Sequence, residues 1–189
     1  PTNSMRGAAV LSGLADALVV DIGGTTSDIG LLLDGFPREA AMTVEVGGVR
    51  TNFRMPDLLA VGLGGGSLVH DGGARIGPES VGFELERRAR VFGGDSLTMS
   101  DIAVAAGLMD LGDGNKVAGL ENVDAALKTA NGMIAQALDR VRPSAATLPV
   151  ILVGGGAPLL GGRTIGGGEI LRPEHGQVAN AIGASIAMV

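Results

Sequence analysis

The sequence predicts an α/β domain in which helices pack on a mixed sheet. Short apolar runs ending on glycine pairs or triplets fill the first half, and helical spacing of small apolar residues fills the second. One more strand-like run lies between two of the helical stretches. Residues 3–14 are rich in Ala, Leu, Met and Val, have Asn3 or Ser4 available as a cap, and read as a short helix. Ala17–Ile22 (ALVVDI) is a strand ended by Gly23-Gly24, and residues 28–33 (DIGLLL) form a second, ended by Asp34-Gly35. The few small or polar residues between them make a hairpin. Residues 41–49, with Met42, Val44 and Val46 alternating, are expected as a third strand, so that three antiparallel strands open the domain.

Residues 58–63, a glycine triplet, Ser67–His70, a Gly72-Gly73 turn and residues 74–77 follow as strands and turns, and 55–117 is the candidate for an inserted, strand-rich subdomain. Helical spacing returns at 100–109, where Ser100 is the expected cap and Ile102, Ala105, Ala106 and Met109 share a face. A longer helix is expected over Val123–Val141, with Val123, Leu127, Ala130, Ile134, Ala137, Leu138 and Val141 on one stripe and Pro143 beyond its end. Residues 149–153 read as a buried strand running into Gly154-Gly155-Gly156. Residues 177–189 close the chain as an Ala-rich helix, with Val178, Ala181, Ile182, Ser185 and Val189 on its apolar face.

Composition narrows the function. The chain has 189 residues, a net charge of −6 and a pI near 4.8, so it carries no surplus of positive charge for a phosphate backbone. Four phenylalanines and no Tyr or Trp leave no platform for stacking single-stranded bases, and nucleic acid is not expected as a partner. The absence of cysteine excludes disulfides, thiolate metal sites and a cysteine nucleophile, and fits a reducing, cytoplasmic setting. Apolar runs are interrupted well before the roughly 18 residues of a spanning helix, so no membrane contact is expected. A chain opening on Pro1 and running straight into a helix is expected to be part of a longer protein.

The sharpest chemical feature is Asp21-Ile22-Gly23-Gly24-Thr25-Thr26-Ser27-Asp28. A hairpin tip of two glycines and two threonines offers backbone N–H groups and hydroxyls to a phosphate. Asp21 at the strand end is placed to hold Mg²⁺ or to orient an attacking water; the plain alternative is an ordinary tight turn. Gly154, Gly155 and Gly156 after the buried strand would let a purine or ribose lie against backbone, or would form a simple strand-to-helix turn. Gly64-Gly65-Gly66-Ser67 matches neither the dinucleotide fingerprint nor a P-loop, and is either a structural hairpin or a phosphate or substrate contact. His70 and His175 have no metal-ligand spacing, and no nucleophile elbow supports a serine triad. Arg87, Arg88 and Arg90, amid Glu84 and Glu86, read as a solvated face, and Asn180 as a polar group that either bonds backbone or faces a cleft.

Several segments together resemble one family: PTNSMRGAA at 1–9, VDIGGTTSD at 20–28, GGGS at 64–67, IGPESVG at 76–82, DIAVAAGL at 101–108 and ANAIGA at 179–184 are similar, in this order, to motifs of the hydantoinase A and oxoprolinase family. The hairpin alone would point only to the wider actin, Hsp70 and sugar-kinase superfamily. The resemblance implies an actin-like, ribonuclease H-like ATPase lobe: three antiparallel strands, then a mixed sheet with helices. It also implies an ATP-dependent hydrolase of cyclic amides such as hydantoins or 5-oxoproline, in which ATP activates the amide oxygen for ring opening by water. Carried over, Asp21 organises Mg²⁺ or the attacking group, Gly23, Gly24, Thr25 and Thr26 hold phosphate, Asp28 braces the hairpin, and Gly154, Gly155 and Gly156 face adenosine. Gly64, Gly65, Gly66 and Ser67 match a family motif and are candidates for substrate contact.

Two features depart from the family pattern. The chain carries one phosphate hairpin where the superfamily closes ATP between two lobes, so residues 1–189 are expected to be the C-terminal nucleotide-binding lobe. The N-terminal lobe of the same protein is then expected upstream, within a homo- or hetero-oligomer. FELERRARVF at 83–92 stands where family members have a P-G-P-A-C-Y-G segment, which leaves the particular cyclic amide open. A non-hydrolytic regulatory or assembly lobe that binds nucleotide, and an interaction domain with purely structural glycines, are the alternatives.

Overall fold

The computed structural model describes residues 1–40, 45–46, 49–50, 56–143 and 147–187. In chain order the elements are α1 (Thr2–Ser12), β1 (Ala17–Ile22), β2 (Ser27–Leu33), β3 (Phe36–Pro37), β4 (Glu45–Val46), β5 (Val49–Arg50), β6 (Leu58–Val61), β7 (Ser67–His70) and β8 (Arg75–Ser80). They continue with α2 (Leu85–Arg88), α3 (Met99–Ala105), α4 (Val123–Val141), β9 (Val150–Val153), β10 (Thr164–Ile165), β11 (Gly168–Leu171) and α5 (Ala179–Ile186).

The main sheet runs β10-β11-β9-β1-β2-β3, with β6 also paired to β2. β1 and β2 are antiparallel, while β1, β9 and β11 are mutually parallel neighbours. The sheet is therefore mixed, as expected. Residues 41–44 and 47–48 of the expected third strand lie outside the described residues. Of the described residues there, Glu45–Val46 pairs with Val49–Arg50 as a separate ladder. The antiparallel partners of β2 beyond β1 are instead Phe36–Pro37 and Leu58–Val61.

Strand alternation divides the core into two layers. Leu18, Val20 and Ile22 of β1, Ile29 and Leu31 of β2, and Val150 and Leu152 of β9 face α3 and α4. Ala17, Val19, Leu32, Ile151 and Val153 face the other way, against α1 and α5. Of the 55–117 stretch, β6 joins the main sheet, β7 and β8 form a two-stranded sheet, and Val69, Ile76, Met99 and Ile102 join the core layer under α4.

The helices show where periodicity is informative. α4 keeps its expected bounds and buries Ala126, Ala130, Ile134, Ala137, Leu138 and Val141. α3 ends at Ala105 rather than at 109 and is capped two residues earlier than expected, because Thr98 rather than Ser100 is the cap: Thr98 accepts from the Asp101 N–H, and the Asp101 carboxylate accepts from the Thr98 N–H in return. α5 buries Ala179 and Gly183, not the expected apolar stripe, and Val178 and Ile186 are exposed. The reason is close packing on α1. A side chain at Gly7 would collide with the Ala179 carbonyl, and one at Gly183 with the Asn3 carbonyl, so the two helices meet backbone to backbone. Asn180 is exposed and has no interior role. Among the described residues no helix is long and apolar enough to cross a membrane.

Candidate functional site

The β1–β2 register pairs Asp21 with Asp28 and Ile22 with Ser27, leaving Gly23-Gly24-Thr25-Thr26 as the tip. The Gly23 N–H donates to the Thr26 carbonyl at 2.9 Å, closing the turn. Gly24, Thr25 and Thr26 are exposed, and their N–H groups and the threonine hydroxyls have no partner among the described residues, which leaves them open to a ligand. Cross-strand partners share a sheet face, which brings the Asp21 and Asp28 carboxylates together. Burial holds the Asp28 carboxyl above its ordinary pKa; the chain's amino terminus partly offsets this, and the Asp21 charge adds to the rise.

The 64–67 segment lies directly on this tip. Gly65 N–H donates to Gly23 C=O at 3.0 Å and Gly66 N–H to Gly24 C=O at 2.6 Å. Ser67 turns its hydroxyl back to accept from Gly64 N–H at 2.9 Å, and Ser27 donates to the Leu63 carbonyl at 2.6 Å. Only glycine allows this approach at position 64, where a Cβ would lie 2.6 Å from Gly24 C and Thr25 N. The 154–156 segment reaches the tip from β9: Gly156 N–H donates to the Ile22 carbonyl at 2.8 Å. A side chain at Gly154, whose φ is +85°, would strike the Asp21 carboxylate.

All three glycine segments thus converge. They bound a cavity of about 250 Å³ lined by Gly23, Gly24, Gly65, Gly155 and Gly156 together with Leu85, Ser100, Met109 and Leu111. A second cavity of about 290 Å³ shares Gly155 with the first and is bordered by Gly154, Arg172 and Gly176, and burial lowers the Arg172 pKa. Asp21, Thr25, Thr26 and Asp28 sit at or beside the tip without lining the first cavity, and Gly64, Gly66 and Ser67 support it from behind. Sequence reasoning does not place Leu85, Ser100, Met109 and Leu111 at the site, because three of them carry no polar chemistry and Ser100 is expected there as a helix cap. The T-x-x-D pattern at Thr98 and Asp101, a capping box, was the signal that frees Ser100 from that duty. Arg87 and Arg88 pair with Glu84 on the surface, as expected of a solvated face.

The family described as Hydantoinase/oxoprolinase matches residues 1–113. Among solved structures, acetone carboxylase in a nucleotide-free state is 20% identical with a TM-score of 0.69, covering 98% of this chain and 31% of its own. The ATP-dependent caprolactamase from Pseudomonas jessenii is 20% identical with a TM-score of 0.70, covering 97% of this chain and 32% of its own. The activator of 2-hydroxyisocaproyl-CoA dehydratase from Clostridium difficile, solved with ADPNP bound, is 15% identical with a TM-score of 0.50, covering 97% of this chain and 63% of its own. The expected actin-like ATPase fold is the fold these structures share with this chain. The chain spans about a third of the length of the first two. No curated protein sequence matches it closely.

Proposed function

Because the chain belongs to the Hydantoinase/oxoprolinase family, we propose that it is the nucleotide-binding lobe of an ATP-dependent hydrolase of cyclic amides of the hydantoin or 5-oxoproline type. The observation that carries this reading is the convergence of Gly23-Gly24, Gly65 and Gly155-Gly156 on one cavity at the hairpin tip. The N–H groups of Gly23, Gly65 and Gly156 are spent on backbone carbonyls, but those of Gly24 and Gly155 have no backbone acceptor among the described residues; with the flat peptide planes of the glycine walls they suit a phosphate chain and a purine, and Met109 and Leu111 supply apolar cover for the base. The ATP dependence in the caprolactamase's name and the ADPNP bound to the dehydratase activator support a nucleotide on this fold.

In this reading Gly23, Gly24, Thr25 and Thr26 hold the phosphates, and Gly154, Gly155 and Gly156 face the adenosine. Gly64, Gly66 and Ser67 brace the hairpin, because their hydrogen bonds are spent on it and on their own turn. Asp21 and Asp28 fit a magnesium ion. Two carboxylates close enough for one to raise the pKa of the other are a hard-oxygen donor pair that a cation would relieve. Bound there, the ion would neutralise phosphate charge. Phosphoryl transfer from ATP to the amide oxygen leaves ADP and turns the ring carbon into an electrophile that water opens, releasing phosphate. The chain's own residues position the phosphates and the ion, and a facing lobe of the same protein completes the site around the cyclic amide.

Titration of MgADP into isotope-labelled chain, followed by backbone amide shifts, tests the nucleotide site. Shifts are expected at residues 23–26 and 154–156, weakened in Asp21→Asn. Their absence both in this chain and in a longer polypeptide carrying the facing lobe would overturn the reading. ATP-coupled ring opening of hydantoin or 5-oxoproline by the longer protein tests the chemistry; nucleotide binding without any ring opening would favour a regulatory or assembly lobe.

A further inference from the structure

Of the nine residues lining the hairpin cavity, one has a polar side chain, and it is Ser100. Ser100 is 2% exposed, yet its hydroxyl has no hydrogen-bond partner among the described residues. The other buried hydroxyls near the site are occupied. Ser27 donates to Leu63 C=O at 2.6 Å, Ser67 accepts from Gly64 N–H at 2.9 Å, and Thr98 donates to Asp101 at 2.8 Å. Ser4 also lacks a partner, but its oxygen is sealed from solvent, whereas Ser100 opens on the cavity. A buried hydroxyl left without a partner is disfavoured unless water or a ligand completes it.

The backbone fixes where this hydroxyl stands. Ser100 N–H donates to Gly65 C=O at 2.9 Å, and Gly65 N–H donates to Gly23 C=O at 3.0 Å, so Ser100 is two hydrogen bonds from the hairpin tip. The Thr98–Asp101 capping box holds the first turn of α3, and Asp101 ties that turn to the Val91 N–H at 2.7 Å. The position is therefore rigid before any ligand arrives.

We propose that the Ser100 hydroxyl donates a hydrogen bond to a phosphate oxygen of the bound nucleotide, making it a specificity residue for phosphorylated over free nucleoside. This rests on the nucleotide reading above. The test compares MgADP and adenosine binding to the wild-type chain and to Ser100→Ala, by amide shifts at residues 23–26 and 154–156. Loss of one hydrogen bond to a charged oxygen should weaken MgADP about tenfold. Adenosine binding should not change, which also certifies an intact cavity in the variant. Unchanged MgADP affinity, or equal weakening of both ligands, would overturn the inference while leaving the nucleotide reading standing. Wild-type protein that binds neither ligand, both as this chain and as the longer polypeptide carrying the facing lobe, would remove both.

Discussion

Replacing Gly64 by alanine tests the contact on which the whole site depends. Its new Cβ would stand 2.6 Å from Gly24 C and Thr25 N and 2.8 Å from Gly23 O. Ordinary carbon contacts begin near 3.5 Å, so the hairpin tip or the 64–67 segment must retreat by about 0.9 Å. The atoms struck are backbone, which cannot swing aside as a side chain would. The retreat acts against two hydrogen bonds, Gly65 to Gly23 at 3.0 Å and Gly66 to Gly24 at 2.6 Å. At about 1 kcal/mol each, with about 1–3 kcal/mol for overpacking and about 0.5–1 kcal/mol returned by the stiffer unfolded chain, the net loss is about 2–4 kcal/mol. No left-handed backbone strain enters, because the φ of Gly64 lies outside that region. For a chain of this size the melting temperature should fall by roughly 5–15 °C. Urea unfolding with an unchanged m-value reads the loss, and amide shifts at Gly23 and Gly24 locate it. Gly155→Ala is the matched control: its Cβ meets nothing within 4 Å, so stability should hold within about 0.5 kcal/mol while the methyl group intrudes on the cavity and weakens MgADP. A Gly64→Ala chain as stable as wild type, or equal losses in the two variants, would refute the steric reasoning.

Two further outcomes follow from buried or crowded carboxylates. Asp101, 0% exposed, accepts from Val91 N–H at 2.7 Å, Thr98 N–H at 2.7 Å and Thr98 Oγ1 at 2.8 Å. Asp101→Asn sets an amide donor against at least one of these donors and should cost about 2–4 kcal/mol in a denaturant titration; a loss below about 1 kcal/mol would contradict that hydrogen-bond scheme. Asp28 has a folded-state pKa raised chiefly by burial. The native state then binds more protons than the unfolded chain just above the ordinary Asp value, so this group's contribution to stability falls as pH rises through that window. Asp28→Asn should flatten that part of the stability-against-pH curve and raise stability at neutral pH, as read from urea midpoints between about pH 3 and 7. A wild-type curve that rises more steeply with the aspartate than without it would reverse the assignment.

The features legible in the sequence are those written in local chemistry. β1, β2 and the hairpin follow from apolar runs flanking Gly23-Gly24, and α4 from a stripe that stays in phase over five turns. The family resemblance rests on the same local segments. The apolar stripe of α5 misled because periodicity weighs side-chain size, whereas α5 docks through Ala179 and Gly183 onto α1. Which residue capped α3 was decided by a reciprocal bond between Thr98 and Asp101, and that choice released Ser100 into the cavity. The sequence by itself determined the glycine-threonine hairpin, its two aspartates and the glycine clusters. Only the tertiary structure decided that 64–67 leans on the hairpin and that Leu85, Met109, Leu111 and Ser100 complete the cavity. Glycine in a sequence announces that something must approach closely, but what approaches depends on which backbone the fold brings to within hydrogen-bonding distance.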